Sequence, residues 1–196
     1  HHQDEKSVAL QNIGGISNVT FIPKNARPED IIAFDSGPGN MIIDATIEIA
    51  TNGQKKYDED GVMAAQGQVN KGLLDILSKH PYLKLPPPKS TGRESFGWAF
   101  AQKTVENAKK LGVSDCDLLA TVTFFTTQTI VNHYQDHIPF VIDEIRVSGG
   151  GAHNRTLMKN LSTLAEATFE SVSVIVDEQS DAKEAIAFAI LANETL

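Results

Sequence analysis

Residues Gln11–Pro23 read QNIGGISNVTFIP, with a pair of glycines between two stretches of β-type composition. The alternation of apolar and polar residues on either side of Gly14-Gly15 predicts strands over Ser7–Ile13 and Ser17–Ile22, joined as a hairpin by a tight glycine turn. Paired glycines also let backbone N–H groups approach an anion closely, because no Cβ blocks the approach. The residues alone leave two interpretations open: a plain hairpin turn, or a turn that binds phosphate.

A second glycine-rich turn, VSGGGAHN, covers Val147–Asn154. It follows a strand predicted over Pro139–Val147 and precedes a helix predicted over Arg155–Ala167. Three consecutive glycines cost backbone entropy, and the helix would offer its N-terminal N–H groups and dipole to a phosphate or ribose. Asn154 suits the N-cap of that helix. An unusual strand-to-helix loop and a nucleotide site both fit this pattern, whereas a P-loop and a dinucleotide fingerprint do not.

A third turn, DSGPGN, covers Asp35–Asn40 between a short strand over Ile31–Phe34 and a helix over Met41–Thr51. The pair Pro38-Gly39 is typical of a type II turn. Asp35, at the end of a strand, can alternatively reach a metal or a ligand.

The rest of the chain alternates helical patterns with two strands. A hairpin-led sheet followed by crossovers predicts an α/β fold with mixed strand pairing. We expect residues 1–196 to form a single domain, with the proline-rich Pro81–Gly92 as a surface excursion rather than a boundary. The further elements predicted are helices Val62–His80, Glu94–Leu111, Asp115–His137 and Ala182–Thr195, and strand Ser171–Val176.

Composition restricts the classes of function. The net charge of −8 argues against binding nucleic acid or an anionic membrane surface, both of which need a basic face. Cys116 is the single cysteine, so neither an intrachain disulfide nor a cysteine metal cluster can form. These features predict a cytoplasmic protein.

Both ends suggest a piece of a longer protein. A strand pattern starts almost at the first residue, and the last residues, Asp181–Leu196, stop inside a helical pattern without a glycine or proline to end it.

Several longer strings resemble one family, anhydro-N-acetylmuramic acid kinase, in order and spacing along nearly the whole chain. The resemblance implies a ribonuclease-H-like five-stranded mixed sheet flanked by helices, which is one half of the actin/hexokinase/Hsp70 ATPase fold, and it covers the C-terminal half of a two-domain kinase. The strings are QNIGGISNVTFIP, FDSGPGNMIID, PPPKSTGRESF, DLLATVTFFTTQTI, VSGGGAHNRTLM and DAKEAIAFAILAN.

The resemblance implies an activity for the whole protein. The family transfers the γ-phosphate of ATP to O6 of 1,6-anhydro-N-acetylmuramic acid while water opens the anhydro bridge at C1, which gives N-acetylmuramic acid 6-phosphate in peptidoglycan recycling. It also implies Mg²⁺ with the ATP, a homodimer and a cytoplasmic location. The alternative is a non-catalytic ATP-binding module of the same superfamily, used as a regulator or scaffold.

The resemblance also assigns site residues. The family's N-terminal phosphate loop, of the form GTSxDGxD, and its catalytic Asp before a GGQGAP-type segment are absent, so no catalytic residue is expected in this chain. Glu184 would contact the sugar, although a plain first-turn acid is equally typical of a helix start. Asp35 is the candidate for the metal, since Asn12 lacks the charge that many superfamily kinases carry there. The expected nucleotide-binding residues are Asn12, Gly14, Gly15, Ser17, Asn18, Gly149, Gly150, Gly151 and Asn154.

Other residues carry less specific signals. Lys89 and Arg93 either bind an anionic group or lie at a solvated helix start. Trp98 and Phe124-Phe125 are expected in the core.

Overall fold

The computed structural model describes residues 5–177. Five strands form one sheet in the order β3-β2-β1-β4-β5. The hairpin strands β1 and β2 pair antiparallel, as do β2 and β3, whereas β4 lies parallel to both β1 and β5. The predicted mixed five-stranded sheet is confirmed. The strands are β1 Val8–Ile13, β2 Ile16–Ile22, β3 Ile32–Pro38, β4 Glu144–Ser148 and β5 Ser173–Val176.

Helices connect and flank the strands. Three of them, α1, α6 and α7, agree with the predicted bounds to within one residue at each end. None of the helices within residues 5–177 has the length and apolar character needed to cross a membrane. The helices are α1 Asn40–Ala50, α2 Val62–Gln66, α3 Lys71–Leu77, α4 Arg93–Phe96, α5 Trp98–Lys110, α6 Asp115–His137 and α7 Arg155–Thr168.

Two helices predicted as continuous are each broken at a glycine. The span Val62–His80 divides into α2 and α3, and the span Glu94–Leu111 divides into α4 and α5 at Gly97. At the first break the backbone of Gly67 lies against α6, where a Cβ would come within 2.0 Å of the Cys116 carbonyl oxygen. The apolar periodicity continues across the break, so the pattern alone gives no sign of this close contact.

The prediction for the third turn was wrong in part. Strand β3 continues to Pro38 because the Ser17 hydroxyl bonds the Ser36 hydroxyl at 2.8 Å and donates to the Gly37 carbonyl at 3.2 Å. Gly39 has φ −119° and ψ −131°, which is not the type II conformation. Pro38 and Gly39 therefore end a strand and start α1 directly.

Two further predictions are corrected. Strand β4 begins at Glu144 and not at Pro139, and Phe140 and Val141 in the preceding segment are exposed. Trp98 is 48% exposed at the start of α5 and does not belong to the core, whereas Phe125 is buried as expected. Phe140, Val141 and Trp98 are all apolar residues, but only tertiary packing decides which apolar residues are buried.

A buried polar contact joins the long helix α6 to the strand beside the hairpin turn. The Tyr134 hydroxyl donates to Oε1 of Gln11 at 2.6 Å, and both residues are completely buried. The Gln11 amide nitrogen in turn donates to the carbonyls of Asn12 and Asn18 at 3.0 and 2.8 Å. Helix α6 thus supports the base of the turn through Gln11.

Tyr134→Phe is expected to lower the free energy of unfolding by about 1–3 kcal/mol, because it leaves a buried amide oxygen without its donor. Urea unfolding of the protein measures this change. Tyr57→Phe, which alters an exposed hydroxyl, is the matched control and should stay within about 0.5 kcal/mol of wild type. Equal midpoints for Tyr134→Phe and wild type would contradict the support role of Gln11.

Candidate functional site

The two glycine-rich turns lie side by side at one edge of the sheet. Asn12 of β1 pairs with Asn18 on one side and with Ser148 on the other, so the strand ends that carry the turns are neighbours. A Cβ at Gly149 would lie 2.3 Å from Oδ1 of Asn12 and 2.8 Å from the carbonyl oxygen of Ile13. The sheet register brings together turns that are about 135 residues apart in sequence.

The start of α1 closes over the hairpin turn. The N–H groups of Gly39 and Met41 donate to the Gly15 carbonyl, both at 3.1 Å, and that of Asn40 donates to the Gly14 carbonyl at 2.8 Å. Gly15 is exposed, and within residues 5–177 its own N–H has no hydrogen-bond acceptor. The turn carbonyls are therefore satisfied inside the protein, while the N–H of an exposed residue is left without an acceptor among the described residues.

Asn40 lies between the two turns, and sequence reasoning did not assign it to the site. Its Nδ2 is 3.5 Å from the Ile13 carbonyl oxygen and would be 3.3 Å from a Cβ at Gly150. The one feature of the sequence that could have indicated its role is its position at the start of the helix that follows the third turn. Only the packing of α1 against the hairpin shows that this position faces the triple glycine.

The three glycines of the second turn have different roles. Gly149 has φ +82° and packs on Asn12, and a Cβ at Gly151 would lie 2.4 Å from Cγ2 of Ile13. These two glycines are required by packing within the protein. Gly150 has only Asn40 nearby and faces an open cavity. It is therefore the glycine of this turn whose backbone is open to the cavity.

The cavity beside Gly150 has a volume of about 390 Å³, in the range of small-molecule sites. It lies between α1, the start of α7 and the segment before α2. The residues that line it are Asn40, Asp44, Lys56, Tyr57, Asp58, Glu59, Asp60, Gly150, His153 and Asn154.

The segment 56–60 that forms one wall is anchored at its base. The Asp58 carboxylate accepts hydrogen bonds from the N–H groups of Met63 at 2.8 Å and Ala64 at 2.9 Å, at the start of α2. The Thr156 hydroxyl donates to the Gly61 carbonyl at 2.7 Å, which ties the same segment to α7. The wall is therefore held by two helices rather than by its own loop.

The cavity has two electrostatic ends. At the glycine end, backbone N–H groups and helix starts give positive potential. The rest of the lining carries four carboxylates: Asp60 is paired with Arg155, and burial raises the pKa of Asp44 to about 6. Lys56 is already paired with Glu48 of α1. The first end suits an anion, and the second suits a neutral group with hydrogen-bond donors.

Asn154 caps α7, as predicted. Its Oδ1 accepts a hydrogen bond from the N–H of Leu157 at 2.9 Å, and the same residue lines the cavity. Ser17 departs from its expected role as a phosphate donor, because it is fully buried and its hydroxyl is bonded to Ser36 and Gly37. The Ser17 side chain is therefore not part of the candidate site.

Asp35, the candidate for a metal, lies in the same sheet row as Asn18. Its Oδ2 accepts hydrogen bonds from the Ser90 hydroxyl at 2.9 Å and from the Thr91 N–H at 2.8 Å. Over the range 5–177, His, Cys, Asp and Glu side chains form no group of three or more that fits a metal. Glu184, the candidate for sugar contact, lies outside the described residues.

Lys89 turns inward from the proline-rich loop. Its ammonium nitrogen lies 4.8 Å from the centre of the Tyr82 ring and donates to Nε2 of His133, whose Nδ1–H donates to the Thr129 carbonyl at 2.7 Å. Burial lowers the pKa of Lys89 to about 8. The side chain therefore anchors the loop to α6 rather than lying at a solvated helix start.

Comparisons with known proteins give a family and a fold. The sequence profile described as anhydro-N-acetylmuramic acid kinase matches residues 1–196. The chain is 43% identical over its full length to the protein of that name from Caldanaerobacter subterraneus subsp. tengcongensis and 47% identical to that from Francisella tularensis subsp. novicida. It covers 50% and 51% of those proteins, so it spans about half the length of these curated relatives.

Two solved structures share the fold at 13% sequence identity. One is the activator of 2-hydroxyisocaproyl-CoA dehydratase from Clostridium difficile with bound ADPNP, with a TM-score of 0.58 over 97% of this chain and 63% of that one. The other is component A of (R)-2-hydroxyglutaryl-CoA dehydratase from Acidaminococcus fermentans, with a TM-score of 0.54 over 89% of this chain and 56% of that one. The predicted half of an actin-like ATPase fold is confirmed.

Proposed function

This chain belongs to the anhydro-N-acetylmuramic acid kinase family, and from that premise we propose that it is the nucleotide-binding half of an ATP-dependent sugar kinase. The single observation that supports this most is the meeting of two glycine turns at one sheet edge, where Gly150 of the second turn lines a cavity. A nucleoside triphosphate needs both features: donors for its phosphates and an adjoining pocket for its nucleoside.

In the proposed reaction, the whole protein acts on 1,6-anhydro-N-acetylmuramic acid. Water adds to C1, the C1–O6 bond breaks, and O6 takes the γ-phosphate of ATP. The products are N-acetylmuramic acid 6-phosphate and ADP. The recycling of peptidoglycan fragments, the homodimer and the cytoplasmic location stay predictions from the resemblance.

The part of this chain is to bind and orient the nucleotide. Phosphoryl transfer depends on positioning and charge stabilisation more than on covalent help from the protein. The N–H of Gly15, which has no acceptor within residues 5–177, would bind the terminal phosphates. Gly150 and the start of α7 would bind the phosphate nearest the ribose. Asn40, between the turns, would donate to a phosphate oxygen.

Mg²⁺ would be held mainly by the nucleotide, and the catalytic base is expected outside this chain. Residues 5–177 form no cluster of three ligands, so this part of the chain does not build a protein cage for the ion. Magnesium commonly binds through substrate phosphates, waters and one or two carboxylates, and it would neutralise charge on the phosphates. Asp35 stays the candidate carboxylate of this half. The catalytic base is expected in the half before residue 1.

The test uses the full-length protein that contains this chain, incubated with ATP, Mg²⁺ and 1,6-anhydro-N-acetylmuramic acid. Mass spectrometry is expected to show a sugar heavier by one phosphoryl group and one water, formed in equal amount to ADP. The control omits the sugar and should give little ADP. Tight ATP binding without any phosphorylated sugar would contradict the kinase and support the non-catalytic module.

A further inference from the structure

One carboxylate of the cavity has no assigned role. Asp44 lies on α1 one turn beyond Asn40, so both side chains face the same side of the helix. It is half-buried and lines the cavity together with Gly150 and Asn154. Within residues 5–177 it has neither an ion-pair nor a hydrogen-bond partner. A half-buried carboxylate without a partner is costly, and a ligand with donors would relieve that cost.

We propose that Asp44 accepts a hydrogen bond from the 2′-hydroxyl of the nucleotide's ribose, and that it thereby selects ribonucleotides over 2′-deoxyribonucleotides. This inference rests on the proposed function, because it takes the cavity as the nucleoside end of the ATP site. It adds a specificity-determining residue to that site.

The position of Asp44 suits a ribose rather than a phosphate. Asn40 marks the phosphate end, and Asp44 lies about 6 Å further along the helix axis. The cavity wall also carries Asp58, Glu59 and Asp60, of which only Asp60 has an ion-pair partner among the described residues, Arg155, so the wall keeps a negative charge that disfavours a phosphate. Lys56 does not offset this charge, because it is paired with Glu48. A neutral sugar with hydroxyl donors is compatible with such a wall.

Burial also makes the carboxylate a selective acceptor. Its desolvation raises the pKa to about 6, so the ionised form at higher pH is held half-buried, without an ion-pair or hydrogen-bond partner within residues 5–177. A site that provides an unpaired, partly desolvated acceptor discriminates against an analogue that lacks the matching donor. The 2′-deoxyribonucleotide is that analogue.

The experiment measures dissociation constants of ATP and 2′-deoxy-ATP for the full-length protein by calorimetry at pH 8, where Asp44 is ionised. Wild type should bind ATP about tenfold or more tightly than 2′-deoxy-ATP, as expected for one hydrogen bond to a charged group. In Asp44→Asn the ATP dissociation constant should rise about tenfold and the preference should largely disappear. Asp75→Asn, on α3 and outside the cavity, is the control and should keep the preference of wild type.

The outcomes separate this inference from the proposed function. Equal binding of the two nucleotides by wild type, or an undiminished preference in Asp44→Asn, overturns the role of Asp44 and leaves the kinase standing. A wild type that binds no ATP overturns both. Because Asn has the shape of Asp and removes a half-buried charge, Asp44→Asn should unfold at the same temperature as wild type or higher, and the wild-type comparison does not depend on the variant.

Discussion

Gly150→Val is expected to raise the apparent KM of the full-length protein for ATP by at least about tenfold, equivalent to about 1.4 kcal/mol of binding free energy. A Cβ at this position meets nothing nearer than Nδ2 of Asn40, at 3.3 Å, so the fold can accept it. The rest of a branched side chain must then project into the cavity that Gly150 lines. It would occupy space that the nucleotide needs and would screen the backbone N–H groups from the phosphates.

Gly149→Ala is the matched comparison at the adjacent position. Its φ of +82° disfavours any side chain, and the new Cβ would lie 2.3 Å from Oδ1 of Asn12. This variant should lose stability in urea unfolding, whereas Gly150→Val should unfold close to wild type while its kinetics with ATP change. A folded Gly150→Val protein with an unaltered KM would show that the triple glycine does not face the nucleotide.

The largest expected loss of stability comes from Gly67→Ala. The added Cβ would lie 2.0 Å from the carbonyl oxygen and 2.3 Å from the carbonyl carbon of Cys116, and 2.6 Å from the backbone nitrogen of Asp117. All three are backbone atoms at the start of α6, so no side-chain rotation can relieve the overlap. We expect the free energy of unfolding to fall by about 2 kcal/mol or more, since α2 must separate from α6.

Gly72→Ala on the neighbouring helix α3 is the control for that experiment. Nothing lies nearer than 3.4 Å to a Cβ there, so alanine should raise the free energy of unfolding by about 0.5–1 kcal/mol through its lower backbone entropy cost. The two glycine substitutions should therefore move the urea midpoint in opposite directions. A shift of Gly67→Ala toward higher urea would contradict the close contact between α2 and α6.

Elements with strong local signals were predicted correctly from sequence. The helix α6 begins after Ser114, whose hydroxyl accepts a hydrogen bond from the Asp117 N–H at 3.2 Å, and it ends at His137 as predicted. The hairpin at Gly14-Gly15 was also predicted correctly, because two β-type stretches joined by a two-glycine turn fit few structures other than a hairpin. In both cases the residues that decide the element are close together in the chain.

Predictions failed where distant residues decide the structure. The Ser17 hydroxyl faces Ser36 of the adjacent strand, which lengthens β3 and removes Ser17 from the candidate site. Trp98 is an apolar residue, yet no element within residues 5–177 covers it fully. Asn40 and Asp44 were absent from the predicted site, because their importance depends on how α1 packs beside the triple glycine.

The amino-acid sequence by itself determined the α/β class, the hairpin and the two glycine turns, because turn chemistry and strand or helix periodicity act over a few neighbouring residues. Only the tertiary structure decided that Gly149 and Gly151 serve packing while Gly150 faces a cavity, and that Asp44 lies in its wall. Those properties depend on atoms that meet across the sheet from positions far apart in the chain. Close contacts and burial arise only when these distant segments pack together, so they cannot be predicted from a local sequence pattern.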